Sequence, residues 1–223
     1  MQRINYLINQ NMKKITLLIC LIATTLIQAQ SSKQIFESPK LKEAISTHKT
    51  VAVLPFKSTI SYKRLPKNFD ASLNAEEEKK SSLSLQSGLY TYLLRKSSEY
   101  SVSVQDPEKT NILLKQNGSF DKLDELTPEA LAKILGVDAV IKCAYAYQKT
   151  GSEGGAIVKS LLIGFGTGKV ATSDLTMNLY NAQDGDLLWR FYKQMDEDVM
   201  SNPQAMMEHM MRKVGRNFPY EKS

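Results

Sequence analysis

Leu135-Gly136-Val137-Asp138-Ala139-Val140-Ile141 carries two structural signals in seven residues. A helical pattern stops at the glycine, and the chain passes at once into a short apolar run. Strands covered on both faces read this way, and glycine suits the helix end just before one. A second run of the same kind, Val51-Ala52-Val53-Leu54-Pro55-Phe56, lies upstream. Together they predict an α/β fold: a single domain with a mixed sheet of about five strands and helices packed on it.

Just before it, Thr127-Pro128-Glu129 opens the helix that ends at Leu135, with Thr as cap and Pro at the first helical position. The strand that follows spans residues 138–147, and its second half, from Lys142 to Tyr147, alternates poorly and is expected to leave the sheet. Residues 172–181 and 187–194 form a hairpin around Asp184-Gly185, with Leu175, Met177 and Leu179 on one face. Trp189 reads as core. Upstream, the strand over residues 50–56 ends near Pro55, which lacks a ladder donor. Residues 57–71 read as a loop or irregular hairpin. The longest helix runs from Ser72 or Asn74 to Ser97, with Asn74 as cap and Leu85, Leu89 and Leu93 on one face. Residues 100–104 alternate as a strand, and Asp106-Pro107 opens a short helix to Gln116. Asn202-Pro203 opens the last helix, whose Met206, Met207, Met210 and Met211 read as core filling.

The N-terminus gives an address. Met12-Lys13-Lys14 is a short basic start, residues 15–27 are almost uninterruptedly apolar, and Ala29 is a small residue before Gln30. This is the pattern of a secretory signal over residues 1–29, with Met12 as an alternative start. An apolar run of about 13 residues is shorter than the ~20 a transmembrane helix needs. Cys20 is preceded by Ile19, where lipid attachment needs a small residue, so a lipoprotein is not expected. Residues 30–49 read as a polar leader segment and 50–220 as the α/β domain. The net charge of +6 falls to +3 once Arg3, Lys13 and Lys14 are removed. The remaining basic residues are scattered, which argues against nucleic acid as a partner.

Motifs for chemistry are scarce. The two histidines, His48 and His209, lack a second ligand at metal-site spacing. Cys143, the one cysteine after the signal, lies in a strand-like run and reads as a small buried apolar residue. There is no Gly-x-Ser-x-Gly elbow. Neither a cofactor nor an enzymatic activity is expected, and convergent carboxylates in a deep pocket would be the sign to the contrary.

Residues 151–169 hold most of the glycines around an apolar centre. Gly164-Phe165-Gly166-Thr167-Gly168-Lys169 looks like a phosphate loop, but only three residues separate Gly164 from Gly168, and Val170 stands where Ser or Thr belongs. The stretch reads as an insertion, either a loop with a short helix or a contact element. Ile157, Val158, Leu161, Leu162 and Phe165 are then its candidate partner or oligomer contacts.

The strand Val51–Phe56, the helix-to-strand run Leu135–Ile141 and the hairpin segment Gly185–Trp189 occur in an order that resembles the CsgG/LpoB-like group of bacterial envelope proteins. The order is also similar to the N-terminal domain of TolB. The resemblance covers roughly residues 50–220, and its motifs mark strands and a helix stop. It implies a periplasmic or outer-membrane-associated, non-catalytic protein-binding or scaffold module of a Gram-negative envelope. The alternative is a subunit of an oligomeric outer-membrane secretion assembly, with residues 151–169 making subunit or membrane contacts. Either way the partner is an envelope protein or a second copy of the chain, and no functional residue carries over.

Overall fold

The computed structural model describes residues 33–149 and 169–198, and near the C-terminus residues 208, 210–212, 214 and 217–222. The signal and cleavage region, Cys20, residues 151–168 and His209 lie outside the described residues. Residues 33–223 form one compact unit.

Seven strands build one mixed sheet, two more than expected. They are β1 (Lys33–Glu37), β2 (Thr50–Val53), β3 (Lys57–Tyr62), β4 (Ser103–Gln105), β5 (Ala139–Lys149), β6 (Lys169–Asn181) and β7 (Leu187–Asp198). The order is β1-β7-β6-β5-β2-β4, with β3 beside the second half of β5. The chain leaves β2 at Leu54-Pro55-Phe56 and returns to the same flank of β5 as β3, parallel to it from Lys57↔Ala144 to Tyr62↔Lys149. The second half of β5 therefore stays in the sheet, and residues 57–62 are a strand. Their alternation is real, with Ser58, Ile60 and Tyr62 half-buried and Lys57, Thr59 and Ser61 exposed. It is hidden because the inward side chains are mostly polar or mixed. β1 comes from the polar leader and pairs antiparallel with β7.

The helices are α1 (Leu41–Thr47), α2 (Ala71–Arg95), α3 (Pro107–Gln116) and α4 (Pro128–Leu135). The cap of α2 is Asp70, whose carboxylate accepts from the N–H groups of Ser72 and Leu73. Asn74 is one turn inside the helix, so Glu76–Glu78 miss its first turn. The α4 stop is as expected: Gly136 takes φ +65°, the left-handed region open to glycine.

Helices cover both faces. On one face α2 and the C-terminal helical residues bury Leu85, Leu89, Leu93, Met210, Met211 and Val214 against Val51, Val53, Ile141, Cys143, Met177, Trp189 and Phe191. On the other, α3 and α4 bury Leu114, Leu131 and Leu135 against Ala52, Leu54 and Val140. Cys143 is buried, and burial pushes its thiol well above the ordinary range.

Two polar devices register the layers. Asp138 sits just before β5, and one of its carboxylate oxygens accepts from the N–H groups of Lys49 and Thr50 at 2.8 Å each. Burial alone would raise its pKa, but these N–H groups outweigh it and the net direction is down. Gln86, almost fully buried on α2, donates to the Val53 carbonyl at 2.8 Å and exchanges hydrogen bonds with Asn111 on α3. Gln86→Leu keeps the volume but strands the Asn111 amide and the Val53 carbonyl. It should cost about 1–3 kcal/mol in urea unfolding. A neutral result would show that the two groups find other partners.

Candidate functional site

A cleft of about 270 Å³ lies where β2 ends, between Leu54-Pro55-Phe56, the middle of α2 and the turn over residues 120–125. Asp121, Asp124 and Glu125 converge here with Lys57, Lys79 and Lys142. Carboxylates in a pocket would favour an enzyme, so their state matters. Asp124 is 2.6 Å from Lys57 and 3.7 Å from Lys142, and Asp121 is 3.6 Å from Lys79. The hydrogen bond from Lys57 leads in holding Asp124 below the usual carboxylate range. A general acid needs the opposite shift. The pairs are solvated, Asp121 being 80% exposed, and each is worth little. Their evident effect is to strap the turn onto the sheet, with Lys142 also donating to the Leu123 carbonyl at 2.9 Å. In sequence these lysines lie far apart, and they arrive from β3, α2 and β5.

His48 lies just before β2. Among the described residues no three His, Cys, Asp or Glu side chains could hold a metal ion. His48 instead joins a buried chain of neutral groups. Its Nε2 lies 3.2 Å from Asn181 Oδ1 and its Nδ1 2.6 Å from the Tyr220 hydroxyl. Asn181 donates its amide to Asp184 at 2.9 Å, which fixes the amide with its oxygen toward the ring. Nε2 must then carry the proton and Nδ1 accept from the tyrosine O–H. Burial pushes the His48 pKa down, against smaller raising effects from Asn181 and Asp138.

Exposed large apolar residues recur at the connection from β3 to α2. Leu65, Phe69 and Leu73 are 67%, 39% and 59% exposed within nine residues of chain. The Phe69 ring meets Tyr62 edge-on at 5.5 Å, and Lys149 lies over the Tyr62 ring. The base is well held. The Ile60 N–H donates to Glu78 at 2.7 Å, its carbonyl accepts from Asn74, and Ser58 bonds Ser81. These α2 side chains thereby occupy the outer edge of β3. Nothing marks this surface as long as residues 57–71 read as a loop. The five contact candidates of the glycine-rich stretch, Ile157, Val158, Leu161, Leu162 and Phe165, lie outside the described residues.

No described helix is long and apolar enough to cross a membrane.

No family model matches the chain, and no curated protein sequence matches it. Among solved structures, the chain is similar to the lipoprotein GNA1162 from Neisseria meningitidis, with 15% identity and a TM-score of 0.44 over 76% of this chain and 96% of that one. It is also similar to the PelC dodecamer from Paraburkholderia phytofirmans, with 14% identity and a TM-score of 0.42 over 86% and 98%. The LpoB C-terminal domain from Salmonella enterica shares 11% identity, with a TM-score of 0.34 over 71% and 94%. Likenesses of this size carry no statement about what the chain does.

Proposed function

We propose that the chain is a non-catalytic protein-binding module of a Gram-negative cell envelope, exported by residues 1–29 and working at the periplasmic side or at the periphery of the outer membrane. One observation carries the binding half of this reading: three large apolar side chains, Leu65, Phe69 and Leu73, stand in water on a base braced by α2. The three fall within nine residues of chain, and contiguous exposed apolar patches mark interaction sites. The basic–apolar–Ala29 pattern of the N-terminus and the sequence resemblance to the CsgG/LpoB-like group support the envelope half. In this reading Ile157, Val158, Leu161, Leu162 and Phe165 provide further contacts, since their stretch joins β5 to β6 and Lys149 at its start reaches Tyr62.

Fractionation of expressing cells tests both halves. The chain should leave the cytoplasm with Gln30 as its first residue and co-sediment with envelope protein. The triple substitution Leu65→Asp, Phe69→Asp and Leu73→Asp should release it into the soluble periplasmic fraction with its circular dichroism unchanged. Retention in the cytoplasm would refute the address. An unaltered distribution of the triple variant would refute the surface.

A further inference from the structure

We propose that β1 is the docking strand for a second copy of this chain, joining two sheets edge to edge about a two-fold axis at Ile35. Three observations carry it.

The first is which edges are covered. β3 has its outer Ile60 groups bonded by Asn74 and Glu78, and beside β4 the C-terminal segment runs past, with Tyr100 bridging Glu221 and the Ser101 N–H donating to the Tyr220 carbonyl. β1 is exposed at all five positions. It lacks the usual devices that blunt an edge, having no proline, no bulge against β7 and no charge at its centre.

The second is ladder phase. The Ser38 N–H donates to the Leu188 carbonyl at 2.8 Å, continuing the register that pairs Glu37 with Trp189. Residues 34, 36 and 38 therefore turn their backbone groups toward β7, and residues 33, 35 and 37 turn theirs outward. Among the described residues nothing bonds the outward N–H and C=O of Ile35. An antiparallel copy centred on Ile35 sets outward residue against outward residue, and the outward groups of Ile35 gain a partner.

The third is side-chain complementarity in that same register. Lys33 falls opposite Glu37 of the second copy, and Glu37 opposite its Lys33. Lys33 stands beside Lys193 of β7. On the same face Cys143, Met177, Phe191 and Ile35 form one cross-strand row. The first three are buried, whereas Ile35 is 36% exposed. Ile35 of the second copy continues the row into its own Phe191.

The test is disulfide trapping in the chain as purified from cells, in a Cys20→Ser background. Opposed residues of such a pair bring Cα atoms within disulfide range. Ile35→Cys should give a covalent dimer on mild oxidation. Lys33→Cys alone should not, because its equivalents lie four residues apart, whereas Lys33→Cys combined with Glu37→Cys should. Glu37→Lys should weaken association about tenfold, and adding Lys33→Glu should restore it. A monomeric Ile35→Cys chain, equal trapping through Lys33→Cys alone, or no rescue by the double reversal would each overturn the proposal. The edge used is remote in the sheet order from β3, so failure here leaves the Leu65 surface as it stands.

Discussion

Replacing Trp189 with alanine should remove about 3–5 kcal/mol of stability, the cost of emptying a large aromatic site. Trp189 is 1% exposed and stands where three parts of the chain meet. Its ring stacks on Phe191 at 6.0 Å and receives Phe218 edge-on at 6.3 Å, and it lies opposite Leu179 on β6. Phe218 in turn contacts Tyr100 and Tyr220, so the cavity would open beneath the segment that closes the β4 side. Urea unfolding followed by far-UV circular dichroism checks the size. Trp189→Phe keeps a ring in the site and should lose distinctly less. Equal losses would mean that the site does not discriminate by volume.

Tyr220→Phe should cost about 1–3 kcal/mol and change the pH dependence of stability. The substitution removes one hydroxyl and leaves the His48 Nδ1 lone pair buried without a donor. The sign of the pH effect follows from burial, which leads in lowering the His48 pKa below its ordinary 6.5. The unfolded chain then binds a proton that the folded chain refuses. The stabilisation is complete above pH 6.5 and is lost as pH falls toward the folded value. Asp138, the charged group nearest the ring in effect, limits that loss without reversing it. Midpoints measured from pH 8 to 5 should fall on acidification in the parent chain. They should fall less in His48→Gln, which has nothing to protonate. A parent chain with no slope in that window would contradict the buried neutral histidine.

Residues 135–141 were legible because one segment carries both signals, a glycine stop and a buried strand. The hairpin of β6 and β7 was equally plain, since its apolar alternation and Asp184-Gly185 turn are local. What escaped depends on distant partners. β3 is held by parallel pairing to β5, some ninety residues away, and by Asn74 and Glu78 of α2. Its own composition, Lys-Ser-Thr-Ile-Ser-Tyr, does not announce a strand. β1 is exposed throughout, so no burial pattern marks it. By residue type Asn74 reads as the α2 cap, while Asp70 holds that place and Asn74 serves the strand beside it. The candidate surface at Leu65, Phe69 and Leu73 shares this origin, because it exists only once β3 is in place. The cleft ion pairs are likewise products of topology, drawing Lys57, Lys142 and Asp124 from three places in the chain.

On the proposed reading, the β3–α2 connection meets a defined protein partner. Site-specific photo-crosslinking in living cells tests it most directly, with a photoreactive residue at Leu65, at Leu73 and, as a control, at Ile112, which is 46% exposed on α3. Leu65 and Leu73 should yield the same heavier adduct, absent from Ile112 and lost when Phe69 is changed to Asp. Adducts at all three positions, or at Ile112 alone, would show that this surface is not where the chain works.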